Sequence, residues 1–175
     1  MEPCQEDPAY QQAQLQVADL LKRIQDISLD LRPAMLDDLG LLPAILWHAQ
    51  HYEARTKIKV HFYHAGLSQK RFDPQVETAC YRIVQEALTN TARHAQAKSI
   101  RLKVEADGEN ITIEVEDTGK GFNPQKALSS RHSSGLTGMR ERAALLGGEL
   151  MFDSSAGNGA VIRAKLPCNP QGKYE

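Results

Sequence analysis

In this chain of 175 residues, 21 Lys+Arg stand against 22 Asp+Glu, a formal net charge of −1, so no overall basic field points to nucleic acid. Its length gives room for one sizeable domain with or without a smaller companion, and its 41% apolar and 25% charged residues are those of a soluble protein; no apolar run reaches a membrane span, and the polar, acidic start MEPCQEDPAYQQ is not a signal peptide. Cys4, Cys80 and Cys168 form no CxxC pair, which fits a reducing cytosol better than a disulfide framework or a zinc site.

The first dozen residues read as a linker or a frayed end. Val17, Leu20, Ile24, Ile27 and Leu31 then recur at spacings of three and four, a short heptad seam suited to helix pairing, with core packing and dimerisation both open to it. Pro33 disturbs this seam. A second helix is expected over 39–55, with Pro43 tolerable in its first turn. KIKVHFYHAG at 57–66 alternates as a strand, placing Ile58, Val60 and Phe62 on one side. Phe72 and Pro74 lead into a helix over about 75–95.

SIRLKVEA and NITIEVED follow, each with period-two alternation, and the Asp107-Gly108 pair between them is a hairpin signal. Residues 118–134 are rich in Gly, Ser, Asn and Pro and read as a mobile loop. GMRERAALLGG reads as a helix stopped at Gly147 or Gly148, and ELMFDS and AVIRAKLP as two strands flanking SAGNG. The order βαββαββ predicts an α/β (α+β) two-layer sandwich, a mixed sheet with helices on one face and a helical segment before it.

Three groups carry candidate chemistry. EALTNTARHA puts Glu86, Asn90 and His94 four residues apart on one flank of a helix, beside an arc of Ile83, Val84, Ala87, Leu88, Thr91 and Ala95 that can pack. DTGKGF ends a strand with Asp117, where a carboxylate can form the floor of a pocket while Gly119 and Gly121 permit tight turning. Such a carboxylate accepts from an exocyclic amine, which adenine has and guanine lacks at the equivalent position. SSGLTGMRER opens a helix whose first backbone amides suit phosphate oxygens. The P-loop spacing G-x-x-x-x-G-K-[ST] is absent. Each group alone is commonplace: a solvated polar edge, a plain turn, a helix start.

Together and in this order they resemble the ATP-binding domain of bacterial sensor histidine kinases, within the GHKL superfamily shared with DNA gyrase, mismatch-repair ATPases and large heat-shock chaperones. EALTNTARHA looks like the N box, DTGKGF like the first glycine box, GLTGMRERAALLGG like the second, and GNGAVIRAKLP like the closing strand. LRPAMLDDLGLLPAI at 31–45 and GMRER resemble the subfamily that works with LuxR/NarL-type response regulators. The resemblance runs over about 17–167 and implies the Bergerat ATP-binding fold. It divides the chain into a partial helical dimerisation segment and linker at 1–56, an ATP-binding catalytic domain at 57–168 and a tail at 169–175.

The resemblance also implies roles. Asn90 would ligate Mg²⁺ bridging the ATP phosphates, with Glu86 beside the metal and its waters as a base or water-orienting group. Arg93 and His94 would approach the phosphates, and Asp117 would bind the adenine amine above Gly119 and Gly121. Residues 122–134, beginning at Phe122, would form the lid, and Gly135, Leu136, Gly138 and Met139 would close over the nucleotide. The chemistry implied is transfer of the γ-phosphate to a histidine, for relay to a response regulator. A homodimer in the full-length protein, a cytoplasmic location, no nucleic-acid partner and membrane contact only through a missing sensor region complete the expectation.

The chain departs from the pattern at three places. None of His48, His51, His61, His64, His94 or His132 is followed by an acidic residue, so the phosphoacceptor helix is expected to be missing and the chain to be a fragment unable to phosphorylate itself. Ser133 stands where the second glycine box often begins with Gly, and Ala160 where a threonine is common beside the adenine pocket. The latter predicts tighter ATP binding on Ala160→Thr. A catalytically degenerate nucleotide-binding regulatory or dimerisation module is the alternative, opposed by the intact Glu86, Asn90 and Asp117.

Overall fold

Period-two patterning has its physical counterpart in a five-stranded sheet, seen in a computed structural model that describes residues 34–129 and 134–169. The seam from Val17 to Leu31, Pro33, His132 and Ser133 lie outside the described residues. The strands are β1 (Lys59–Ala65), β2 (Ser99–Ala106), β3 (Asn110–Asp117), β4 (Glu149–Ser154) and β5 (Ala160–Pro167), in the order β1-β2-β3-β5-β4. β1 runs parallel to β2 and every other pairing is antiparallel. A helix separates β1 from β2, as a parallel crossover requires.

One face of the sheet is dry. Ile100, Leu102 and Val104 on β2, Ile111, Ile113 and Val115 on β3, and Ile162, Ala164 and Leu166 on β5 are all buried. Each fully buried aliphatic side chain of this kind contributes about 1.5–3 kcal/mol. The alternate residues face water and pair by charge: Arg101 with Glu116 and Arg163 with Glu114, each at 2.7 Å, across neighbouring strands. This alternation is what confines the helices to one side.

The helices depart from expectation in three places. The helix expected over 39–55 is α2 (Leu41–Thr56), but a short helix that was not expected, α1 (Ala34–Leu39), precedes it, parted from it at Gly40, which takes φ +87. Arg71 holds this break together: its guanidinium donates to Leu36 O at 3.3 Å and Asp37 O at 3.0 Å, carbonyls of α1, and to both carboxylate oxygens of Glu77 at 3.1 Å. Glu77 is fully buried yet saturated, since Phe72 N–H also donates to it at 3.0 Å.

The second departure is in the helix expected over 75–95. It is α-helical only as α3 (Pro74–Asn90), then widens into a π-helical turn, Thr91–Ala95. Its start follows the sequence, with Pro74 in the first turn and the Asp73 carboxylate capping Gln75 N–H at 2.8 Å. The third is the loop expected over 118–134, which contains the short helix α4 (Pro124–Ser129) and runs into α5 (Ser134–Leu145).

Residues from Met35 onward form one unit. α3 lies over β3 and β5, with α2 and α5 packed on either neighbour, α2 also meeting β1 and α5 meeting β4. Leu36, Leu41, Ile45 and Tyr52 from α1 and α2 share the core with Ile83, Val84 and Leu88 of α3.

His48 of α2 is a core residue, its Nδ1 3.4 Å from the Tyr81 hydroxyl. Burial, with the charges of Arg55 and His51 acting in the same direction, lowers its pKa from 6.5 to about 4. As pH falls through 6.5 the unfolded chain takes up a proton that the folded chain refuses until about 4. The stability held by neutral His48 is therefore complete above that window and declines downward through it, by about 1.4 kcal/mol per pH unit. Thermal melts between pH 7 and pH 5 will show a falling Tm whose slope is shallower in His48→Leu; equal slopes would exclude His48 as the cause.

Candidate functional site

Where α3 gives way to the π-helical turn, the helix layer and the sheet enclose a cavity of about 240 Å³. Ala87, Asn90, Thr91, His94 and Ala95 form the helical wall, and Asp117, Ala160 and Ile162 the sheet floor. Lys120, Gly121 and Phe122, Ala127 of α4, and Gly135 and Leu136 of α5 complete the lining. Small apolar walls with a few convergent polar groups are the composition of a ligand site.

Asp117 reaches the floor because β3 alternates: Ile111, Ile113, Val115 and Asp117 all point into the dry layer. It is 8% exposed and flanked in register by Ile100 on β2 and Ala160 on β5. Its Oδ1 accepts from Gly119 N–H at 2.8 Å, while Oδ2 lies 3.4 Å from the Thr91 hydroxyl. A carboxylate so enclosed needs more donors than these supply. Burial raises the Tyr52 phenol to about 12, the Asp117 charge acting the same way, so this ring stays neutral.

The glycine loop is tied to the π-helical turn. Lys120 N–H donates to Ala95 O at 2.8 Å, and a Cβ at position 119 would strike that carbonyl, so only glycine fits there. Ser154 anchors the far side, accepting from Phe122 N–H at 2.9 Å and donating to Gly159 O at 2.6 Å.

Asn90 is the last residue of α3, and its Nδ2 is buried with no hydrogen-bond partner among the described residues. His94 is exposed and lines the cavity. The half-buried Glu86 reaches the start of α5, where a Cβ at Gly135 would meet its carboxylate. No group of three or more His, Cys, Asp or Glu among the described residues could hold a metal unaided. One amide oxygen and one nearby carboxylate fit instead a magnesium ion that keeps waters and takes its other ligands from phosphate. The Asn90 Nδ2, without a partner among the described residues, is a donor and cannot itself ligate a cation; it suits an acceptor such as a phosphate oxygen.

The structure thus brings Asn90, His94, Asp117, Gly121, Phe122, Gly135 and Leu136 onto one cavity, with Gly119 bonded to Asp117 beneath it. Arg93 is exposed and off the wall, and Gly138 packs toward the Arg142 guanidinium. Met139 is fully buried in the core, where it seats α5 and does not face the cavity. Of the other lining residues, Ala87, Thr91 and Ala95 are expected from the sequence only to pack, Ala127 falls in the expected lid, and Lys120 and Ile162 have no role expected from the sequence. The signal for three of them is present, since Ala87, Thr91 and Ala95 repeat the four-residue spacing of Glu86, Asn90 and His94 one position on.

Residues 75–170 match the family described as histidine kinase-, DNA gyrase B-, and HSP90-like ATPase. The signal transduction histidine-protein kinase/phosphatase DegS of Brevibacillus brevis is 38% identical over 151 residues, 86% of this chain and 38% of that protein. The oxygen sensor histidine kinase NreB of Staphylococcus carnosus is 36% identical over 148 residues, 85% of this chain and 42% of that protein. The chain spans about two-fifths of the length of these relatives. The histidine kinase domain of the Erythrobacter litoralis blue-light activated histidine kinase EL346 has the same fold, with a TM-score of 0.58 at 22% identity over 71% of this chain and 59% of that one.

Proposed function

We propose that this chain, which belongs to the histidine kinase-, DNA gyrase B-, and HSP90-like ATPase family, is the ATP-binding catalytic part of a sensor histidine kinase. It moves the γ-phosphoryl group of ATP to a histidine outside the ATP site, for relay to a LuxR/NarL-type response regulator. The observation that carries this reading is the buried Asp117 carboxylate on the floor of a cavity whose helical wall carries Asn90, its amide nitrogen without a partner among the described residues. One end recognises a base and the other a metal-bound phosphate chain.

Asp117 accepts from the adenine amine, and Ala87, Ile162 and Leu136 exclude water from the ring. Asn90 holds Mg²⁺ through its amide oxygen, and Glu86 orients a water or takes a proton beside it. Mg²⁺, when bound, neutralises the phosphate oxygens on which charge accumulates. Arg93 and His94 approach the same phosphates, and Gly135 and Leu136 cover them from α5. Catalysis of this kind is mostly positioning and charge neutralisation. Residues 57–168 carry the ATP site, with 35–56 packed into the same unit; the dimerisation segment and linker of a homodimeric kinase is then the part of 1–56 before Met35, and 169–175 a tail. The location we assign is cytoplasmic; no helix among the described residues is long and apolar enough to cross a membrane.

Calorimetric titration with a non-hydrolysable ATP analogue, with and without Mg²⁺, will show saturable binding that Mg²⁺ strengthens. Labelled ATP will then phosphorylate a histidine-bearing helix supplied in trans. Absence of binding at millimolar nucleotide would refute the nucleotide site. Binding without transfer would instead establish the regulatory module.

A further inference from the structure

On the edge that carries its exocyclic amine, adenine presents two neighbouring groups, the amine as donor and a ring nitrogen as acceptor. Asp117 can answer only the first, because a carboxylate has no proton to give. A hydroxyl for the second can come from either side of the cavity. On the sheet side, position 160 is the register partner of Asp117 and holds only the methyl of Ala160. On the helical side, Thr91 is 4% exposed, lines the cavity, and sets its hydroxyl 3.4 Å from Asp117 Oδ2.

That hydroxyl is poorly committed. Its single proton is offered to Ala87 O at 3.1 Å and to Asp117 Oδ2 at 3.4 Å, both beyond the usual O–H···O length of about 2.7–2.8 Å. Ala87 O does not depend on it, since Thr91 N–H already donates there. The hydroxyl therefore loses little by turning to a better acceptor.

We propose that Thr91 is a specificity-determining residue of this site, donating its hydroxyl proton to the ring nitrogen beside the amine that Asp117 accepts. This rests on the reading of Asp117 as the amine acceptor. Helix and strand then divide base recognition between them, acceptor from β3 and donor from the π-helical turn. A guanine-type edge is refused, because it sets a carbonyl oxygen against the Asp117 carboxylate.

The test compares ADP with 1-deaza-ADP, in which that ring nitrogen is a C–H, by calorimetry on the wild-type chain, Thr91→Val and Thr91→Ser. Wild type will bind ADP on the order of tenfold tighter than the analogue. In Thr91→Val the two affinities will converge on the weaker, while Thr91→Ser keeps the preference. A preference that survives in Thr91→Val, or equal losses for both ligands, would overturn the proposal.

If wild type binds both ligands equally, this inference alone fails; if it binds neither, the nucleotide reading of the cavity fails with it. Thermal melts of both variants separate lost contacts from lost folding. The same geometry revises the expectation for Ala160→Thr, which will tighten ADP binding more in the Thr91→Val background than in wild type. Equal gains in the two backgrounds would also count against Thr91.

Discussion

Asp117→Asn will weaken binding of an ATP analogue by at least about 100-fold and leave the chain folded. The asymmetry follows from the two carboxylate oxygens. Oδ1 accepts from Gly119 N–H at 2.8 Å, and an asparagine keeps that bond with its own carbonyl oxygen. The amide nitrogen then replaces Oδ2, the atom 3.4 Å from the Thr91 hydroxyl, which can accept from it. Folding therefore loses little, and the Tm will move by a few degrees at most. The adenine amine meets a donor where it needs an acceptor. Losing a charge-assisted hydrogen bond costs about 1.5–3 kcal/mol, and a buried donor left facing another donor adds about 1–3 kcal/mol. At about 1.4 kcal/mol per factor of ten, the sum of about 2.5–6 kcal/mol is roughly two to four decades of affinity. Adenosine will be lost along with ATP, because the defect lies at the base. Unchanged affinity in this variant would show that the carboxylate does not read the nucleobase.

The strands were legible because one physical condition governs them all: a single dry face enforces strict alternation. SIRLKVEA and NITIEVED coincide with β2 and β3, and Asp107 explains their turn by accepting from Glu109 N–H at 2.9 Å and Asn110 N–H at 2.7 Å. The polar side chains that line the cavity, Asn90, His94 and Asp117, were legible for a similar reason. A polar row at four-residue spacing and an aspartate on the apolar side of a strand both break a local rule, and such breaks mark sites.

What the sequence left open depends on partners far along the chain. The break at Gly40 is capped by Arg71, and the π-helical turn after Asn90 lends Ala95 O to Lys120 N–H. The place of β5 between β3 and β4 has no local signal at all. Met139 belongs to a glycine-rich group of which Gly135 and Leu136 line the cavity, but its side chain is buried in the core. Thr91 read as a packing residue for the opposite reason: its hydroxyl acts on Asp117, which is 26 residues away.

Asn90→Ala will separate the two ends of the site. Its Nδ2 is buried without a partner among the described residues, so truncation breaks no hydrogen bond there, and alanine is the better helix former at the end of α3. The Tm will hold or rise. Metal-dependent binding will not: in wild type Mg²⁺ is expected to strengthen nucleotide affinity, and in the variant the affinities with Mg²⁺ and with a chelator will converge. Loss of even an outer partner of a metal ligand typically costs about 10–100-fold, so removing the ligand itself will cost at least tenfold. Adenosine, which has no phosphate to bridge, will bind both proteins alike, because the base is held at Asp117 and the cavity walls. This is the inverse of Asp117→Asn, in which adenosine binding fails with or without metal. A variant that loses adenosine as readily as ATP, or that keeps its Mg²⁺ enhancement, would remove Asn90 from the metal site and leave its buried amide as a structural contact only.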